Sequence, residues 1–118
     1  MTVSNTSILA SASLTIDSAV ANTAVTVKAS SAVLFEIELD NTAVAAATYL
    51  KFWNTGTVTV GTTVPDWVVM VPASVSRTVV IPSGLTFGTA LSYAATTAGG
   101  TSGNTATTGD FAIKLVYV

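Results

Sequence analysis

The sequence contains no cysteine and no histidine. Zinc fingers, iron–sulfur and haem ligation, thiol nucleophiles and Ser-His-Asp triads are thereby excluded. A chain without cysteine fits oxidising and reducing compartments alike, so its location stays open. Charge is also scarce. Asp, Glu, Lys and Arg make up 8% of the 118 residues, against about 25% in an ordinary soluble domain. The four basic residues are too few and too scattered for the cationic footprint of a nucleic-acid binder. Long apolar runs are missing as well. The densest, Trp67-Val68-Val69-Met70-Val71, falls far short of the ~20 residues a helical membrane span needs. No secretory leader is expected, because no basic residue precedes Lys28 and no apolar stretch lies upstream of Ala10-Ser11-Ala12.

What is present is apolar and β-branched. Hydrophobic residues make up 50% of the chain, which argues against disorder. A chain of this length buries roughly 65–70% of its unfolded surface, enough for one self-sufficient core. With a net charge of −2, most of the polar surface must come from Thr, Ser and Asn. Such a neutral surface is cheaper to desolvate than a charged one. It suits a protein whose outside is largely covered by copies of itself or by a partner.

Thr and Val favour strands, and good helix formers are scarce. Residues 1–20 are small and weakly periodic and read as an extended arm, with a short strand possible at Leu14-Thr15-Ile16. Residues 21–118 read as a single domain. Alternation in 23–28 places Val25 and Val27 on one face. In 33–40 it places Phe35, Ile37 and Leu39 opposite Glu36, Glu38 and Asp40. If these two segments form a hairpin, Val27 lies across from Phe35, Val25 across from Ile37, and Lys28 diagonal to Glu36. Residues 41–48 read as a loop or a single helical turn. Strand 48–54 carries bulk on both faces, Leu50 and Phe52 against Tyr49, Lys51 and Trp53, and is therefore expected to be covered on both sides. Further strands are expected at 57–60, at 66–71 closed by Pro72, at 76–81 closed by Pro82, and at 89–96. Pro82-Ser83-Gly84 reads as a turn. The Gly-rich stretch 97–109 reads as a long hairpin loop. The terminal strand 110–118 directs Phe111, Ile113, Leu115 and Tyr117 to the core. Seven to eight short strands separated by turns predict an all-β fold, an antiparallel β-sandwich of Greek-key or jelly-roll type, with a closed barrel as the alternative.

No catalytic, cofactor-binding or metal residues are assigned. Glu36, Glu38 and Asp40 stand about 6.5–7 Å apart along one strand face. Carboxylates in that array could serve glycoside hydrolysis or bind calcium. A catalytic pair, however, comes from separate elements around a cleft, and calcium loops offer their ligands from Gly-containing turns. The array reads better as a solvated or partner-facing surface that discourages edge-to-edge aggregation. Tyr49, Trp53, Trp67, Tyr93 and Tyr117 could form a sugar-stacking platform or interface anchors, set against ordinary core packing. The interface candidates are Tyr49, Lys51, Trp53, Glu36, Glu38, Val116 and Val118. Gly99-Gly100 with Gly103 lacks the Lys-Ser/Thr and the helix of a phosphate cradle.

In sequence order the chain carries Ala-Thr-Tyr-Leu-Lys-Phe-Trp (47–53), Thr-Val-Gly-Thr-Thr-Val-Pro (59–65) and Val-Pro-Ala (71–73). Ile-Pro-Ser-Gly-Leu-Thr-Phe (81–87), Ala-Ala-Thr-Thr (94–97) and Gly-Asp (109–110) follow. From residue 46 to the end, this succession resembles small β-rich structural proteins of tailed phages, notably those infecting cyanobacteria and other aquatic bacteria. The resemblance implies a virion component without catalytic residues or cofactor, assembled in the host cytoplasm. It implies a capsid decoration or cement role, with a major capsid protein or other virion protein as partner and a homo-oligomeric state. A tail, neck or fibre component and a carbohydrate-binding adhesion module are the alternatives; a small hydrolase acting through Glu36 is a more distant one.

Overall fold

A computed structural model describes residues 12–118. Eight strands follow in order: β1 (Ser13–Asp17), β2 (Val25–Lys28), β3 (Ala32–Asp40), β4 (Thr48–Trp53), β5 (Trp67–Val71), β6 (Ser76–Phe87), β7 (Leu91–Thr96) and β8 (Ala112–Tyr117). They form two four-stranded antiparallel sheets. Sheet A has the order β1-β8-β3-β6 and sheet B the order β2-β7-β4-β5. The first strand pairs with the eighth, the second with the seventh, the third with the sixth and the fourth with the fifth. The β3–β8 and β4–β7 pairings complete the sheets. The sheets pack face to face around a core that includes Leu34, Ile37, Leu39, Leu50, Phe52, Val71, Leu91, Tyr93, Phe111, Ile113 and Leu115. The all-β, two-sheet architecture agrees with the expectation from the sequence. So does the inward set Phe111, Ile113, Leu115 and Tyr117.

Several details differ. The expected hairpin between 23–28 and 33–40 does not form. β2 pairs with β7 in sheet B, while β3 lies between β8 and β6 in sheet A. Alternation reports which residues share a face, but not which strand lies alongside. Residues 57–60 are not a strand, and 97–109 does not close a hairpin, because it carries the chain from sheet B to sheet A. Residues 13–17, placed in the expected arm, are strand β1 of sheet A. Residues 1–11 of that arm lie outside the described residues.

The largest departure sits in β3 and β6. Leu34, not Phe35, joins Ile37 and Leu39 in the core. The register shifts between Leu34 and Glu36, so Phe35 and Glu36 both turn to the outer side, where Phe35 is still buried, 6% exposed, against the β6 bulge. Opposite them, residues 81–84 of β6 loop out between the pairs Glu36–Val80 and Leu34–Leu85. The strand therefore runs through Pro82 rather than ending there. A proline is tolerated at this point because β6 is an edge strand and the bulge asks for no ladder donor. Gly84 has φ +76°. A Cβ there would strike Val33 Cγ1 and come within 2.9 Å of Phe35 Cε1, so only glycine lets the bulge close over the phenyl ring.

Candidate interaction surface

The sandwich has two outer faces. That of sheet B carries Tyr49, Lys51 and Trp53 on β4, flanked by Ser92, Ala94 and Thr96 on β7. It is covered by the chain's own loops. Trp53 is 1% exposed, and its indole Nε1 donates to Thr63 O at 3.0 Å. Ser92 Oγ donates to Thr55 O at 2.7 Å. Lys51 is 1% exposed and its ammonium donates to Gly100 O at 2.7 Å and Gly103 O at 2.9 Å. Burial lowers the pKa of that ammonium below the usual lysine value. Gly99 lies so close to the Tyr49 ring that an added Cβ would stand 2.7 Å from Cδ1. The two loops also meet each other, at Gly61 and Asn104. Loop 97–109 is thus a third layer laid over sheet B, held by backbone carbonyls around one buried cation.

This overturns Lys51 and Trp53 as interface residues, and it removes Trp53 from any sugar-stacking platform. Tyr93 is likewise a core residue, 2% exposed. Its hydroxyl donates to Asp17 Oδ2 at 2.7 Å, tying sheet B to the end of β1. Burial, reinforced by the Asp17 carboxylate, raises the phenol's pKa above its ordinary value. The covering was legible in part, since bulk on both faces of β4 predicts a doubly covered strand. What covers it was not legible, because a carbonyl can come from any residue.

The outer face of sheet A is different. Its residues form rows across the four strands: Leu14, Val116, Glu36 and Val80; then Ile16, Lys114, Glu38 and Thr78; then Ala112, Asp40 and Ser76. Val33 and Val118 extend it, exchanging both backbone hydrogen bonds at 2.9 Å. Leu14 is 57%, Ile16 62% and Val80 63% exposed. Of the interface candidates, Glu36, Glu38, Val116 and Val118 lie here, on the opposite side of the molecule from Tyr49, Lys51 and Trp53. The expected surface therefore splits into an open half and a covered half. Leu14, Ile16 and Val80 went unnoticed. Their exposure follows from the position of β1 at the sheet edge and from the bulge in β6, which no local pattern announces.

This face carries four of the chain's ten charged residues, Glu36, Glu38, Asp40 and Lys114, and is mostly acidic. Lys114 Nζ approaches Glu38 Oε2 at 3.7 Å, an exposed pair. Hydrogen bonds from Thr42 Oγ1 and Thr42 N hold the Asp40 carboxyl below its ordinary pKa. An open groove of about 300 Å³ runs past Ile16, Glu38, Asp40, Arg77 and Lys114. A smaller dimple of about 60 Å³ lies among Phe35, Val80, Pro82 and Val116. Among the described residues, no group of three or more carboxylates stands close enough to hold a metal ion. Arg77 lines one end of the groove while its Nη1 donates to Met70 O at 2.7 Å, bridging β6 to β5 at the edge of the sandwich.

One buried polar cluster serves the fold rather than the surface. Asn41 is fully buried; its Nδ2 donates to Ala46 O at 3.0 Å and Pro72 O at 2.9 Å, and its Oδ1 accepts from Thr48 Oγ1 at 2.8 Å. These bonds pin the connection between β3 and β4 to the end of β5. Comparison with protein-family models, curated proteins and solved structures gives no match to the chain.

Proposed function

We propose that this chain is a non-enzymatic structural protein of a tailed-phage virion, a decoration or cement protein that seats the outer face of sheet A on the capsid. The observation that carries the reading is that face: largely open among the described residues, with exposed Leu14, Ile16 and Val80 fringing an acidic centre of Glu36, Glu38 and Asp40. Exposed apolar side chains set beside polar ones mark sites that meet other proteins. The fold adds support by analogy alone. Pairing of first with eighth, second with seventh, third with sixth and fourth with fifth strand is what a rolled-up hairpin gives, the jelly-roll arrangement common in viral capsid proteins and also in lectins and cupins. The role needs no chemistry. A protein that binds only the assembled shell stabilises it by mass action, by about 2.7 kcal/mol per site at a hundredfold excess over Kd.

The test uses virions of the phage that carries the gene, with the gene deleted. Purified chain is added back and the particles are imaged by cryo-EM. Ordered density on the head, absent with Leu14→Asp/Val80→Asp, is the expected result. Density confined to the tail or neck assigns the protein there and overturns the cement role; no uptake by any part of the virion overturns the reading entirely.

A further inference from the structure

A two-layer sandwich has four edge strands, and here three are blunted. β6 carries the 81–84 bulge with Pro82, and β5 has its Met70 carbonyl taken by Arg77. β2 is four residues long, irregular between Thr26 and Lys28, and ends on a cation. β1 ends on Asp17, whose carboxylate is engaged by the Tyr93 hydroxyl, and otherwise has none of these devices. It is regular over five residues, Ser13-Leu14-Thr15-Ile16-Asp17, each paired to β8, with no proline, glycine or lysine. Among the described residues, no other backbone is hydrogen-bonded to its outer edge. An unprotected edge of this kind is a template for another strand.

The strand's own sequence identifies that other strand. Ser-Leu-Thr-Ile-Asp is nearly palindromic about Thr15 in physical character. We infer that β1 pairs antiparallel with β1 of a second copy, about a two-fold axis through Thr15. Thr15 then faces Thr15 of the second copy. Leu14 faces the second copy's Ile16, both on the outer side, so apolar meets apolar in two symmetric pairs. Asp17 faces the second copy's Ser13 rather than another carboxylate, so no like charges oppose each other across the axis. A net charge of −2 per chain adds little long-range repulsion. The interface is isologous and closes after two copies, because each edge is consumed by the other. It joins the two A sheets into one of eight strands. Leu14 and Ile16 of both copies then lie at the centre of a doubled outer face.

The chain has no cysteine, so one introduced thiol reports the register cleanly. Directly opposed residues on antiparallel strands have Cα atoms about 4.5–5.5 Å apart, within the range a disulfide spans. Thr15→Cys is therefore expected to oxidise to a covalent dimer. Ser13→Cys is not, since the two Ser13 positions are offset by roughly 13 Å along the strand. In sedimentation equilibrium the unmodified chain is expected to run as a dimer. Leu14→Lys/Ile16→Lys and Leu14→Glu/Ile16→Glu each run as folded monomers by circular dichroism, and their equimolar mixture regains the dimer. A monomeric wild type at the highest soluble concentration overturns the inference, as does a dimer that survives both charged variants. Cross-linking through Ser13→Cys but not Thr15→Cys overturns the register. The pairing is independent of the virion role: a dimer that binds no virion leaves it standing, and a monomer that decorates heads refutes it alone.

Discussion

The two outer faces of this sandwich each belong to a four-stranded antiparallel sheet, yet they end up in opposite states. On sheet B, Lys51 and Trp53 are each 1% exposed beneath loops 54–66 and 97–109. On sheet A, Leu14, Ile16 and Val80 stand more than half exposed. The contrast lies in the connections. Both long loops that leave sheet B fold back over its outer side, and their carbonyls find donors there: the Trp53 indole, the Ser92 hydroxyl and the Lys51 ammonium. Sheet A offers no comparable set of inward-aimed donors. Its only described ion pair, Glu38 with Lys114, lies within the sheet with both side chains about half exposed. A polar group buried under a loop fastens that loop, because leaving its partner unmatched costs free energy. Exposed apolar groups fasten nothing until another surface arrives.

That comparison can be broken by mutation. The largest effect is expected for Trp53→Ala. It empties a fully packed site and orphans Thr63 O, at a cost of about 3–5 kcal/mol in chemical denaturation. Val80→Ala on the other face, 63% exposed and away from β1, should stay within about 0.5 kcal/mol. If the two substitutions cost the same, the covered and open faces are not distinct. Next is Tyr93→Phe, which removes a buried hydrogen bond to a carboxylate and should cost about 1.5–3 kcal/mol. This group also carries a pH signature. Its pKa is raised on folding, so its contribution is fully present below the unfolded value near 10 and is lost as pH rises beyond it. Wild-type stability should therefore fall above about pH 10, with a shallower slope in Tyr93→Phe.

Lys51→Ala comes third. It leaves Gly100 O and Gly103 O without their donor, for a loss of about 1–3 kcal/mol. Its more telling readout is amide exchange, which should quicken in loop 97–109 and leave β1 and β8 unchanged. Equal quickening in both regions would show that the loop is not a separate layer. The smallest effect is expected on the open face. Lys114→Ala breaks an exposed pair and should change stability by less than about 1 kcal/mol in a double-mutant cycle with Glu38→Ala.

How much of this was legible beforehand varies by element. β8 was read correctly because Phe111, Ile113, Leu115 and Tyr117 alternate without interruption and the strand is regular. β3 misled at Phe35. Two consecutive large apolar residues cannot both point inward on a pleated strand, and which one yields is decided by the bulge partner on β6. Tyr49, Lys51 and Trp53 were rightly grouped on one face and wrongly expected at a partner surface. Alternation sorts side chains into two sets but is blind to what lies over each set. The 97–109 stretch was legible as a loop from its glycines, though not as a cover, since its contribution is made by backbone oxygens.

The one-dimensional pattern was thus sufficient for class and for facing. β-branched composition, period-two alternation and turn residues act locally and survive in any arrangement of the strands, so an all-β sandwich with most of its inward residues could be read from them. Pairing of β2 with β7 rather than β3, the burial of Lys51 and the nakedness of Leu14, Ile16 and Val80 belong to the tertiary structure alone. Each depends on which segment, distant in the chain, arrives alongside. That choice is made by the summed burial of the whole core, to which no single stretch of sequence holds the key.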